Sequence, residues 1–119
     1  MQNIIFLFLI QIKHFLADFI IQNDQIAKNK GKNFYYLALH SSHHAILSFF
    51  ILIFFSNLYT AIFLAIYEIF THSFFDFIKA NNKLLGRYTY PSKLYFVFFG
   101  LDQMLHQLNY IIFLFILNL

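Results

Sequence analysis

The chain has 119 residues, of which 61% are hydrophobic and 11% are charged, and its formal net charge is +3. Soluble domains typically contain about 45–50% apolar and about 25% charged residues, so this composition argues against a soluble protein and predicts one integral membrane domain over residues 1–119. The chain has no cysteine, which excludes disulfides, thiolate metal ligands and cysteine nucleophiles.

Four apolar runs of about 20 residues are each long enough to cross a hydrocarbon layer of about 30 Å. The first carries Asp18 within its apolar length and has no basic start, so we expect a retained helix and not a signal peptide. Gly31 breaks the first polar link, while Gly86 and Ser92 are expected caps. The predicted fold is an all-α, integral membrane four-helix bundle of two helical hairpins, with helices over residues 3–23, 34–56, 60–85 and 93–118.

The basic residues predict how the chain is oriented in a membrane. Almost all of them lie in or beside the two longer links: Lys28, Lys30, Lys32, Lys79, Lys83, Arg87 and Lys93. The positive-inside rule then places both longer links in the cytoplasm and both termini outside. The expected location is the bacterial inner membrane.

Three of these basic residues, Lys79, Lys83 and Arg87, are spaced four apart and would line one face of a helix end at headgroup depth. They could contact a lipid headgroup or another phosphate, or serve only as snorkelling anchors. Membrane lipids are therefore the expected partners, together with further copies of the chain. Topology accounts for the positive charge, so we expect no nucleic acid as a partner.

Ionisable side chains recur at helical spacing inside the apolar runs. Four of the five acids stand four residues from a histidine, and residues four apart share a helix face. Under the predicted topology every pair falls in the cytoplasmic half of the membrane. Each helix contributes to this set, which comprises His14–Asp18, His40–His44, Glu68–His72–Asp76 and Asp102–His106.

The cost of these groups in lipid indicates that they face one another inside the bundle. A carboxylate at a helix centre costs roughly 2.5–3.5 kcal/mol on insertion scales. A mixture of imidazoles and carboxylates suits a divalent metal, with zinc expected first and iron or manganese as alternatives. A proton or ion pathway and a purely structural hydrogen-bond network remain open. The predicted metal ligands are drawn from His14, Asp18, His40, His44, His72, Asp76, Asp102 and His106.

Two acids of the third helix are the candidate catalytic residues. Glu68 and Asp76 are about 12 Å apart along a helix that rises about 1.5 Å per residue, so one ion does not bind both. Either two ions bind, or one of these acids is a general base or a group that hydrogen-bonds to a ligand without binding the ion itself. Ser41 and Ser42 have no identifiable triad around them, which argues against serine hydrolysis.

Several stretches resemble a known family: "HFLADFIIQNDQIAKNK" (14–30), "THSFFDFIK" (71–79) and "DQMLHQL" (102–108). Together with the His40 segment, they resemble small bacterial and phage membrane proteins classed as domain of unknown function 3307. The resemblance implies no activity. It implies that the family's polar positions are His14, Asp18, Gln22, Lys30, His40, His72, Asp76, Lys79, Asp102, Gln103 and His106.

The leading functional hypothesis is a metal-binding membrane protein that hydrolyses a membrane-accessible substrate at the cytoplasmic side. Its helices also resemble, loosely, those of inner-membrane metal-dependent hydrolases, which carry His and Asp at helical spacing. The alternatives are a proton- or cation-conducting or transporter subunit and a structural subunit of a larger assembly. Whether His43 or His44 faces the core stays open.

Overall fold

The computed structural model of the protein describes residues 1–119 and contains helices but no strands. The prediction of an all-α fold is therefore confirmed. The prediction of four helices is wrong, because the chain forms five α-helices. A short one occupies the first predicted link. The elements are α1 (Gln2–Phe15), which continues as a π-helical segment (Leu16–Ile21), α2 (Asp24–Asn29), α3 (Phe34–Leu52), α4 (Leu58–Ala80), a 3-10 turn (Leu85–Arg87) and α5 (Lys93–Leu117).

Asparagine and serine side chains begin most of these helices. The Asn23 side chain accepts a hydrogen bond of 3.0 Å from the backbone N–H of Ile26 and starts α2. Ile26 is buried, so this short helix is held by both a cap and an apolar contact. Ser92 accepts from the backbone N–H of Tyr95 at 3.2 Å, which confirms its predicted role as the cap of α5.

The end of α4 differs from the prediction. The helix stops at Ala80 and not at Leu85, and α3 likewise stops at Leu52 instead of residue 56. Gly86 does not follow a helix end: its N–H donates to the backbone carbonyl of Asn81 at 3.0 Å. The Asn81 side chain also donates to the Gly31 carbonyl at 3.0 Å, so both longer links meet at the end of α4.

The π-helical segment widens the end of α1. The Gln22 N–H donates to the Ala17 carbonyl at 3.1 Å, which is a five-residue step. Single π-turns are rare and occur often at functional sites. This one contains Asp18 and so sets the position of its carboxylate relative to α3.

Polar side chains are concentrated inside the molecule and apolar ones outside it. Of 119 residues, 25 are buried, and polar or charged residues outnumber apolar ones among them. Large aromatic side chains such as Phe54, Phe70 and Phe115 are 82%, 71% and 77% exposed. Two helical stretches, Gln2–Ile21 and Leu58–Arg87, are long and apolar enough to cross a membrane.

The bundle interior has two layers along its length. The layer near the short α3–α4 turn and the chain termini is an apolar cluster of Phe6, Ile10, Leu52, Ala61, Leu64, Tyr110 and Phe113. The layer nearer the two longer links holds the buried histidines and carboxylates. This second layer is the candidate functional site.

Candidate metal centre

Five histidines from four helices converge in the polar layer. The rings of His44 and His72 stack with centroids 3.7 Å apart, and those of His72 and His106 are 4.2 Å apart. His40 lies 4.9 Å from His44, and His14 lies 5.2 Å from it. The sequence did not decide which of His43 and His44 faces the core. His44 does so, because it is fully buried whereas His43 is partly exposed. The helical spacing therefore did identify side chains that meet in space.

One group of four residues, Asp18, His40, His44 and His72, offers atoms that lie within 4.8 Å of one another and could hold a metal ion. Oδ1 of Asp18 is 3.1 Å from Nε2 of His40 and 3.0 Å from Nε2 of His44. Ligand atoms in a tetrahedral zinc site with bonds of about 2.0–2.1 Å are about 3.3 Å apart. Asp18 and His40 therefore lie close enough together to bind one ion.

A second group lies beside the first and shares His72 with it. His72, Asp76 and His106 also offer atoms within 4.8 Å of one another. Oδ1 of Asp76 is 3.5 Å from Nε2 of His106, and Oδ2 of Asp76 is 3.1 Å from Nε2 of His40. Because both groups need His72, one ion satisfies the arrangement most simply.

Several ring nitrogens in these groups are buried without a hydrogen-bond partner. Nδ1 of His40 and both ring nitrogens of His72 are in this state, whereas Nε2 of His40 lies 3.1 Å from carboxylate oxygens of Asp18 and Asp76. An unpaired buried polar atom costs roughly 1–3 kcal/mol, so this many within one site is unusual for a completed structural network. Their lone pairs are the donors that a divalent metal prefers, and the residues present fit such an ion.

The contacts of His44 assign it a supporting position. Lys13 Nζ lies 3.3 Å from Nδ1 of His44, and an ammonium can only donate there. The proton of the neutral ring is then on Nε2, which donates to Asp18 at 3.0 Å. In this tautomer His44 orients Asp18, and Asp18, His40 and His72 remain as metal ligands.

His14 also supports Asp18 from the opposite side. Its Nδ1 is 3.0 Å from the hydroxyl of Tyr110, and its Nε2 is 3.1 Å from Oδ2 of Asp18 and 3.2 Å from Oε1 of Gln103. Both ring nitrogens therefore have protein partners. His14 lies in the cluster but in neither group of converging ligand atoms.

Of the four acids in the polar layer, the three that are buried are each paired with a lysine. Glu68 pairs with Lys13, Asp76 with Lys30 at 2.6 Å, and Asp102 with Lys79 at 3.1 Å. Asp18 is the exception, because its ion-pair contacts are to His14, His40 and His44 alone. Its charge has to be balanced by a proton on a histidine or by a bound cation. This local deficit of positive charge lies at the first group of ligand atoms.

The predicted catalytic acids occupy different surroundings. Glu68 is fully buried, accepts from Tyr110 at 3.1 Å and is ion-paired with Lys13, outside both groups of ligand atoms. Asp76 lies among the histidines and in the second group. Of these two carboxylates, only Asp76 is adjacent to the candidate metal centre.

Asp102 lies at the edge of the site. Its Oδ2 contacts Lys79 and accepts from the Gln103 amide at 3.1 Å, while its Oδ1 is 3.4 Å from Nε2 of His106. Neither group of converging ligand atoms includes it. Asp102 therefore positions His106 relative to Asp76.

The predicted basic face of a helix is not formed. Because α4 ends at Ala80, Lys79, Lys83 and Arg87 do not share a helix surface. Lys79 turns inward to Asp102, Lys83 is exposed, and the Arg87 guanidinium lies 5.0 Å above the ring of Tyr88. The two glycine-containing links meet the end of α4 at Ala80, where the sequence predicted that the helix would continue to Leu85.

Sequence reasoning missed Lys13 and Tyr110 as members of the polar layer. Lys13 is 2% exposed and contacts Glu68, His44 and the Tyr110 hydroxyl, the last at 2.9 Å. The available signal was that Lys13 is a basic residue inside an apolar run, remote from both links. Tyr110 carries no such signal, because tyrosine is common in this chain.

Comparison with known proteins gives a family but no activity. The family described as "Protein of unknown function (DUF3307)" matches residues 4–119. No curated protein and no solved structure matches the chain. The match covers nearly the whole sequence, including each residue of the polar layer, and it confirms the resemblance drawn from the motifs. The chain belongs to the DUF3307 family of proteins of unknown function.

Proposed function

We propose that this protein is a membrane-embedded, metal-dependent hydrolase. The observation that carries the proposal is the convergence of Asp18, His40 and His72, in which both ring nitrogens of His72 are buried and unpaired. A zinc ion is the expected occupant, with iron or manganese as alternatives. When bound, the ion would supply a Lewis acid and activate a water molecule for attack.

The surface of the molecule supports a location within the membrane. Apolar side chains cover the outside while charged ones lie inside, the reverse of a soluble protein. The longest extent of the molecule is 41 Å, close to the roughly 40–45 Å of a bilayer with its headgroups. Exposed tyrosine and phenylalanine side chains would then face lipid.

The residues beside the ligands are suited to moving a proton. Asp76 lies between His40 and His106, and Asp102 holds His106 from its far side. We assign Asp76 as the group that accepts a proton from the attacking water, with His106 sharing it. Glu68 is ion-paired with Lys13 and accepts a hydrogen bond from Tyr110, so we assign it a structural role beside the site.

Hydrolysis is favoured over conduction of protons or cations by the layer beneath the site. A path across the molecule would have to pass the cluster that contains Phe6, Leu64 and Phe113, all fully buried and apolar. The only polar atoms on the side chains of that cluster and of the residues packed against it are the hydroxyls of Tyr110 and Tyr67. A conductor would therefore require a pathway between several copies of the chain.

Metal analysis of the purified protein in detergent tests the proposal. We expect about one equivalent of zinc per chain, lost in His72→Ala because both groups of ligand atoms need His72. His43→Ala is the matched control, since this partly exposed residue belongs to neither group. A wild-type protein that binds no stoichiometric metal, even after titration with zinc, would overturn the proposal.

A further inference from the structure

A cavity of about 450 Å³ lies where the two longer links meet the ends of α4 and α5. Lysines from the first of these links and from the end of α4 line it, and no carboxylate does. The lysines are Lys28, Lys30, Lys32 and Lys79. A cavity with several cations and no acid is suited to an anion.

The lysines differ in how far their charge is already neutralised. Lys30 and Lys79 are paired with acids that lie behind the cavity wall, Asp76 and Asp102. Lys32 is exposed and has no carboxylate within 4.0 Å. Lys28 contacts only the highly exposed Asp24, at 3.6 Å. The cavity therefore keeps unbalanced positive charge at its mouth, where an anionic group would arrive.

The cavity is also lined by aromatic side chains. Tyr88, Tyr95, Phe98 and Phe99 line it, and Nζ of Lys79 is 4.7 Å from the centre of the Phe99 ring. Oε1 of Gln22, another lining residue, is buried with no hydrogen-bond partner. Cations, aromatic rings and a free acceptor in one cavity match a ligand with a phosphate, an apolar part and a hydroxyl group.

We propose that this cavity binds the phosphate group of a membrane amphiphile. Lysines bind phosphate oxygens through charge-assisted hydrogen bonds. Lys30 lies in the cavity wall and contacts Asp76, which in turn contacts His40, so a phosphate held by Lys30 lies beside the candidate metal centre. Naming a phosphate ester as substrate rests on the proposed function, whereas binding itself does not.

The corresponding reaction is hydrolysis of a phosphate ester. The oxygen of a water molecule bonds to phosphorus as the bond from phosphorus to the alcohol oxygen breaks. One proton of the water passes through Asp76 to the departing alcohol oxygen. The products are the free alcohol and inorganic phosphate, and no oxidant or further reactant is needed.

Equilibrium binding to the full chain in maltoside micelles, which contain no phosphate, tests the assignment. The probes are dioctanoyl phosphatidate, its phosphate-free counterpart dioctanoylglycerol, and inorganic phosphate. We expect phosphatidate to bind and Lys32→Gln to weaken it about fivefold, the effect of one basic residue near an anionic headgroup. Lys83→Gln, also exposed and at the same end of the molecule but outside the cavity, should leave binding unchanged.

Equal binding of dioctanoylglycerol, or wild-type affinity in Lys32→Gln, would overturn the assignment. Tighter binding of phosphatidate than of inorganic phosphate would support it and identify a lipid as the source of the phosphate. Equal affinity for the two would overturn a membrane amphiphile as the ligand and leave free phosphate as the occupant of the site. Zinc content, measured on the same samples, separates loss of the phosphate site from failure of the proposed metal centre.

Discussion

Lys13 shows how a single charged residue can be held inside an apolar helix. Its ammonium group is shared among the Glu68 carboxylate, the Tyr110 hydroxyl and Nδ1 of His44. Taking a charge out of water costs several kcal/mol per ion, and a buried pair recovers this only when its remaining donors and acceptors are also satisfied. Lys13 meets that condition with three partners from three other helices.

Removing one member of this pair should therefore destabilise the fold strongly. We expect Lys13→Met to cost about 3–5 kcal/mol of unfolding free energy, because Glu68 is left buried and charged without a partner. The double variant Lys13→Met/Glu68→Gln should recover most of that loss. Reversible unfolding in mixed micelles measures both.

An exposed ion pair provides the control for this prediction. Lys28 and Asp24 are 75% and 94% exposed, so Lys28→Met should change stability by only about 0–1 kcal/mol. If Lys13→Met were no more destabilising than Lys28→Met, the buried pair would contribute nothing and its assignment would be wrong.

At the scale of residues, spacing located the polar layer but not the role of each member. Acids and histidines four apart had to share helix faces, and the structure brings them together. Which nitrogen of His44 is protonated depends on Lys13, a residue of another helix. That Asp18 lacks a lysine partner likewise follows only from tertiary contacts, which no local pattern encodes.

At the scale of elements, the end of α4 is fixed by two glycines from different links. An added Cβ at Gly31 or Gly86 would overlap the carbonyl group of Ala80. Gly31 is buried there, and its own carbonyl accepts from the Asn81 side chain. These contacts close the end of the bundle and place Lys30, the residue before Gly31, against Asp76.

Gly31→Ala should accordingly loosen this junction. Because the obstructing atoms belong to backbone and cannot rotate away, we expect a loss of unfolding free energy of about 1–3 kcal/mol, typical of overpacking. Gly100→Ala is the matched control, since no atom lies within 4 Å of its added Cβ and alanine favours a helix by roughly 1 kcal/mol. Equal stability of the two variants, measured by thermal unfolding in micelles, would contradict the close approach.

Helix interiors could be predicted from the sequence, whereas helix ends often could not. Apolar runs located each long helix, and the Ser92 cap is a local signal that succeeded. The end of α4 depends on Gly31, which lies far away in the sequence, so the local pattern predicted one further turn. The π-turn around Asp18 also has no sequence signature of its own.

At the scale of the whole molecule, the charged groups and the buried apolar cluster are divided between its two ends. The lysine-lined cavity and the histidine layer lie toward the longer links, and the apolar cluster lies toward the short turn and the termini. If the molecule spans a bilayer, the positive-inside rule places the cavity on the cytoplasmic side. Substrate would then reach the site from the cytoplasm or the inner leaflet.

Cysteine labelling can test this orientation directly, because the chain contains no cysteine of its own. Tyr59 is 86% exposed and lies at the end of the molecule that contains the short α3–α4 turn. Asn82 is also exposed and lies at the opposite end, at the cavity. Neither substitution alters the basic residues that set topology. In intact bacterial spheroplasts, a membrane-impermeant maleimide should react with Tyr59→Cys and reach Asn82→Cys only after permeabilisation. The reverse pattern would invert the orientation, and labelling of both without permeabilisation would mean that the bundle does not cross the membrane.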